Sequence, residues 1–255
     1  MTILHSIILG IIEGITEFLP ISSTAHLVLV SHLLQISQSE FVKTFEISIQ
    51  FGAILAVLYL YWQKIFHNFE VLKRIIVAFI PTGILGLIFY KVVKNFLLED
   101  ISVIIWAMIL GGVFLILFER WHQEKAEATA QLENITYKQC LVLGVFQSFA
   151  MVPGVSRSAA TIIGGLFLGL KRKTIVEFSF LLALPTMLAA AGYDLIKTSA
   201  TFTSNDFFAL GIGFAVSFVV AVLAIKFLLD YVRKHDFTAF GIYRIVAGIV
   251  LLLTL

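Results

Sequence analysis

Two carboxylates, a run of three hydroxyls and an imidazole stand within fourteen residues near one end of this chain, in Glu13–His26, EGITEFLPISSTAH. Glu13 and Glu17 are four residues apart, so on a helix they share one face, a single turn from each other. Carboxylates in an apolar run are costly and therefore mark function. Two that close resist ionising together unless a proton or a cation lies between them. Pro20 then interrupts the helix. Ser22, Ser23 and Thr24 are able to cap a new one that carries His26 one turn in. A helix start rich in hydroxyls and free N–H groups is an anion site.

A second cluster, Pro153–Thr161 or PGVSRSAAT, has the same character. Gly154 permits close backbone approach, and Ser156 and Ser158 bring hydroxyls to a helix start. Arg157 is a guanidinium in apolar surroundings, whose planar fork suits phosphate oxygens, and Thr161 lies one turn beyond it. The chemistry implied is that of a diphosphate held by two helix starts and an arginine. Glu13 and Glu17 would set a divalent cation, Mg²⁺ or Ca²⁺, against it, since Mg²⁺ commonly uses one or two carboxylates plus substrate phosphates. Each group also has a plainer use. Ser22, Thr24 and Ser158 serve equally as caps or interhelical hydrogen bonds, and the two glutamates as a structural pair. Arg244 either snorkels to an interface or reaches the site as a second phosphate ligand.

The elements that must carry these groups follow from hydropathy. Of 255 residues 60% are hydrophobic and 13% charged, and the mean hydropathy is +1.00, where a soluble domain is roughly half apolar and a quarter charged. The chain reads as an all-α polytopic membrane protein. One cysteine, Cys140, excludes an intrachain disulfide and a cysteine metal cage. The net charge of +2 gives no argument for nucleic acid. Residues 2–19 and 22–35 form two short helices broken at Pro20, followed by apolar spans near 44–62, 72–92 and 101–119. After the polar segment 119–138 the order recurs: short helices at 139–152 and 155–169 broken at Pro153-Gly154, then spans near 174–197, 206–229 and 238–255. Crossing takes about 20 residues, so each arm of a broken pair is too short.

The expectation is one membrane domain over 1–255. It is built of inverted repeats, about 1–119 and 138–255, with six transmembrane helices and two re-entrant hairpins whose breaks meet near the midplane. Local sequence agrees, with Pro20 against Pro153 and Ser23 against Ser156. On this topology one side holds Lys64, Lys73, Arg74, Arg120, Lys125, Lys138, Lys171, Arg172, Lys173, Lys226, Arg233 and Lys234. The other holds only Lys43, Lys91, Lys94 and Lys197, so the first side is expected to be cytoplasmic.

Together the two motifs resemble the paired signatures of the undecaprenyl-diphosphate phosphatase family of the bacitracin-resistance type. The similarity extends over the whole chain, including the closing FGIYRIVAG at Phe240–Gly248. The resemblance implies a multi-pass enzyme of the bacterial inner membrane that removes the terminal phosphate of a C55 polyprenyl diphosphate and depends on a divalent cation. It also implies an active site open to the periplasmic side. It marks Glu13, Glu17, Ser23 and His26 in the first motif and Ser156, Arg157 and Thr161 in the second. Ser23 or His26 would attack phosphorus with Glu17 as base or orienter, or water would attack, activated by His26 and Glu17. Arg157, the helix starts and the cation would stabilise the developing charge.

The competing expectation from the residues is a secondary transporter or flippase for a polyprenyl phosphate or other anion, which uses the same architecture but needs no nucleophile. Small residues allow a homodimer as readily as internal helix packing.

Overall fold

The computed structural model describes residues 1–255 except 38, 94–96, 98–99 and 198–203, and leaves out the side chains of 193–197 and 204–205. Lys94 and the side chain of Lys197, two of the basic residues placed on the sparser side, lie outside the described residues. Among the described residues ten α-helices follow in order: α1 Ile3–Thr16, α2 Ser23–Leu33, α3 Glu40–His67, α4 Phe69–Val92, α5 Ile101–Trp121, α6 Tyr137–Ser148, α7 Arg157–Phe167, α8 Arg172–Lys197, α9 Ser204–Tyr231 and α10 Thr238–Thr254. No strand occurs among the described residues. The polar segment carries one short 3₁₀ turn, Leu132–Asn134, and pairs Thr129 with the chain near Leu170.

Caps set the helix starts. The side chains of Thr2, Ser39 and Asn68 accept from His5, Val42 and Val71, and Thr136 with Gln139 forms a reciprocal capping box at α6. Five helices, α3, α4, α5, α8 and α9, are long and apolar enough to cross a membrane, while α1 and α10 are apolar but shorter. Together with the lipid-type exposure of Leu87, Leu110 and Leu253, this makes a multi-pass membrane protein. The sixth full-length span expected over 238–255 comes out as the 17-residue α10.

A fixed offset of 134 residues relates the two broken pairs. Helices α2 and α7 both have 11 residues, each preceded by a serine at positive φ, Ser22 at 70° and Ser156 at 75°. Each is followed by another positive-φ residue, Gln35 and Gly169. Side-chain-bearing residues rarely adopt this region, so the shared strain marks equivalent positions. The sequence pairing is therefore out by one. Ser22, not Ser23, is equivalent to Ser156; Ser23 is matched by Arg157, and Pro20 by Gly154.

Packing follows the same plan. Gly10 of α1 lies against the backbone of Gly213 in α9, and its counterpart Gly144 of α6 lies against that of Ala78 in α4. At either place a methyl group would meet a carbonyl oxygen. One end of the bundle is tied by polar groups: Lys64 to Glu177 at 2.6 Å, Arg172 to Glu119, Arg74 to the carbonyl of Ile135 and Asn68 to Glu133. Glu177 is thus an ion-pair partner at a helix start.

Candidate active site

The two breaks meet. Ser158 Oγ at the start of α7 donates to the carbonyl of Phe18 beside the first break, at 2.8 Å. Next to it Arg157 crosses to Glu17, Nη2 to Oε1 at 3.0 Å, and its Nη1 donates to the carbonyl of Ser179 on α8. The other oxygen of Glu17 accepts from Ser23 Oγ at 2.6 Å. Both side chains of the ion pair are nearly buried, 11% and 8% exposed, so solvent screens it little. One carboxylate is therefore bridged between a hydroxyl and a guanidinium that occupy equivalent places in the two repeats. The Arg157 guanidinium also faces the Phe18 ring, 5.9 Å from its centroid, and its Nε–H has no partner among the described residues.

These groups line a cavity of about 170 Å³ that also receives Ser22, Thr24, Gln50, Pro153, Gly154, Ser156 and Met187. Both helix starts open on it, so N–H groups that no preceding turn can use face one small space. Ser156 Oγ caps α7 by accepting from Ala159 N. Ser22 makes no side-chain cap.

Of the twelve residues picked from sequence, Glu17, Ser22, Ser23, Thr24, Gly154, Ser156 and Arg157 line the cavity. Glu13, His26, Ser158, Thr161 and Arg244 do not. Ser158 and Thr161 are fully buried and spend their hydroxyls on the carbonyls of Phe18 and Arg157; they tie the hairpins and face no ligand. His26 is turned aside. Its Nδ1 lies 2.7 Å from the carbonyl of Ser22, which can only accept, so Nδ1 carries the proton and Nε2 accepts from the Tyr243 hydroxyl at 2.8 Å. The two rings stack 5.5 Å apart.

Arg244 is corrected most. It neither snorkels nor reaches the cavity; it is 1% exposed. All five of its N–H groups go to carbonyl oxygens: Nε to Met108, Nη1 to Pro20 and Val155, Nη2 to Ala107 and Gly154. Nothing remains for phosphate. Pro20 and Gly154 are equivalent positions, so a single guanidinium holds the same carbonyl of both breaks and seats them on α5. Gly111 makes room for it, since a methyl group there would meet the guanidinium.

Glu13 lies one turn below Glu17, wholly buried, with no hydrogen-bond partner for either oxygen among the described residues. An orphaned carboxylate of this kind is expensive, and a divalent cation beside Glu17 would relieve it. The described residues offer no cluster of three or more His, Cys, Asp or Glu side chains for a metal, so phosphate oxygens and water would complete the shell. The donor set fits an ion that arrives with its substrate.

Sequence reasoning missed Gln50 and Tyr243. Gln50 is a lone amide in the apolar run ISIQFGAI of α3, and a polar residue there was the available signal. Tyr243 stands beside Arg244 in the closing motif.

The family model described as bacitracin resistance protein BacA matches residues 6–250. The chain belongs to the BacA family. Curated relatives named undecaprenyl-diphosphatase are similar along nearly their whole length. The protein of Wolinella succinogenes is 52% identical over 99% of this chain and 98% of its own. That of Aquifex aeolicus is 49% identical over 98% and 97%, and that of Campylobacter jejuni (serotype O:23/36) 48% identical over 97% and 92%.

Proposed function

We propose that the protein is an undecaprenyl-diphosphatase, a hydrolase that takes the terminal phosphate from the polyprenyl diphosphate and returns the monophosphate carrier to cell-wall synthesis. The observation that carries the mechanism is Glu17 bridged between Ser23 Oγ and Arg157 Nη2 at the mouth of two helix starts. Glu17 takes the Ser23 proton as Oγ forms a bond to the terminal phosphorus, and passes it to the bridging oxygen as the bond from that phosphorus breaks, releasing prenyl monophosphate. The regenerated carboxylate then deprotonates a water that attacks the phosphoserine phosphorus; Ser23 Oγ leaves and takes the proton back, and inorganic phosphate is released. Arg157 and the N–H groups of α2 and α7 hold the oxygens on which charge grows. His26, bonded on both nitrogens, fixes the carbonyl of Ser22 and so the strained turn that aims Ser23.

Glu13 and Glu17 are the residues that would hold a divalent cation. When bound, it neutralises diphosphate oxygens and eases departure of the leaving group. In the membrane, the two broken pairs act as re-entrant hairpins of opposite orientation within one domain, with α10 as the sixth crossing. The end bearing Lys64, Arg74 and Arg172 faces the cytoplasm of a bacterial inner membrane, and the cavity opens to the periplasmic side.

Purified protein supplied with substrate labelled in its terminal phosphate releases labelled phosphate, and acid quenching traps acid-stable label on Ser23. Ser23→Ala loses both. Release surviving in Ser23→Ala, or protein-bound label that survives alkaline quenching and is lost in acid, as on a histidine, would overturn the serine route. Substrate bound but never cleaved by the unaltered chain would move the weight to a lipid carrier. Glu13→Gln is expected to lose the thermal stabilisation that Mg²⁺ or Ca²⁺ gives the parent protein, which amounts to about 2.7 kcal/mol at one hundred times the dissociation constant. Equal shifts in parent and variant, read by melting in detergent, would remove Glu13 from the cation site.

A further inference from the structure

The polar cavity of about 170 Å³ is too small for more than a head group, so a lipid diphosphate bound there must send its chain elsewhere. A second cavity, of about 520 Å³, begins on the other side of the same break. The segment Val152–Ser156 contributes to both: Pro153, Gly154 and Ser156 line the polar space, Val152 and Val155 the second. Beyond the valines the second cavity runs along α5 past Val103, Trp106 and Leu110, and Ser102 is its one polar lining residue. Trp106 and Leu110 are 53% and 60% exposed on a helix face turned to lipid. The break thus has a polar face and an apolar face, and a prenyl diphosphate is divided in the same way.

Equivalent positions in the other repeat are built differently. Asp100 and Asp236 each accept from the amide two residues on, at the starts of α5 and α10, which matches Ala107 of α5 with Tyr243 of α10. Where Ala107 leaves room beside the second break, Tyr243 puts a ring on His26 beside the first. Val152 and Val155 likewise correspond to Phe18 and Ile21, which are buried. The α5 side is the open one.

We infer that the α5 groove between Val103, Trp106, Leu110 and the valines of the second break is the binding site for the first isoprene units of the substrate. The inference rests on the reading of the protein as a prenyl-diphosphate phosphatase. The chain leaves the polar cavity over Val155, lies against α5 and continues into the bilayer past Leu110. The groove then sets affinity for the tail and leaves the chemistry at Glu17 and Ser23 untouched.

The test is photolabelling of the full chain in lipid nanodiscs with a prenyl diphosphate carrying a diazirine in its second isoprene unit, followed by peptide mapping. Adducts are expected within residues 102–111 and 152–155, and excess undecaprenyl diphosphate should remove them. Adducts that unlabelled substrate fails to displace would identify an ordinary bilayer chain as the occupant and overturn the assignment, as would displaceable adducts confined to Leu188 and its neighbours on α8. In parallel, Val103→Trp, which fills the groove, should raise KM for the C55 substrate at least tenfold with kcat within twofold. An unchanged C55 KM in folded Val103→Trp would also count against the groove. Phosphate release by the unaltered protein in the same discs separates failure of the groove from failure of the enzymatic reading.

Discussion

Replacing Arg157 by alanine is expected to lower phosphate release by roughly 10²–10³-fold, the usual loss when a donor to a developing oxyanion is removed from a preorganised site. The same change should also destabilise the protein. Glu17 and Arg157 are almost buried together, and breaking such a pair from one side costs about 3–5 kcal/mol because the remaining charge is left uncompensated. The two effects separate in a series. Glu17→Gln with Arg157→Met removes both charges and should melt close to the parent protein while remaining inactive. Arg157→Lys keeps the charge but loses the fork that reaches the Ser179 carbonyl and Glu17 at once, so it should be stable and slow. Melting curves and phosphate release on the four proteins check the set. Parent-like activity in Arg157→Ala would sink the two-motif site.

The largest structural effect is expected at Arg244. Its removal strands the carbonyl oxygens of Pro20, Gly154 and Val155, which lie outside the helices, and a buried unsatisfied group costs about 1–3 kcal/mol. Summed over the three, roughly 3–9 kcal/mol, the loss is comparable with the roughly 5–15 kcal/mol that holds a typical protein folded. Arg244→Met should therefore fail to yield monodisperse protein, whereas Arg244→Lys, with three donors for five carbonyls, should be recovered with a lowered melting temperature. In the lysine variant the breaks are no longer held to one register, so kcat should fall more than tenfold with a smaller change in KM. Size-exclusion profiles, melting and steady-state kinetics give the answer. A methionine variant that melts like the parent would show that the five bonds do not hold the breaks.

Much of this was legible from residue types alone. Carboxylates, hydroxyls and an arginine stand out in an apolar chain because burying them is costly, and Pro20 and Pro153-Gly154 mark where helices stop. Glu17, Ser23 and Arg157 were accordingly singled out, and their side chains meet in the structure. What was not legible is direction. Ser158 and Thr161 have the same chemistry as Ser156, but lie on the part of α7 that faces protein, and a spacing does not say which hydroxyl faces the cavity. Arg244 looked like a phosphate ligand because a guanidinium seeks oxygen, and carbonyl oxygens of five separate residues satisfy it equally well. The one-residue error between the repeats came from matching Pro to Pro, whereas the fold matches the two strained serines. The paired ties across the breaks are long-range facts that local sequence does not encode.

The equivalence of Ser23 and Arg157 has a consequence for how many substrates one polypeptide can process. One broken pair carries the carboxylate and the hydroxyl and the other the guanidinium, and the positions matching Glu13, Glu17 and His26 are Gln147, Met151 and Ala160. The likeness of the two backbones is not carried into the chemistry. On the proposed mechanism a head group enters in one polarity only, with its scissile phosphorus toward Ser23, and the two repeats together make one site for one lipid.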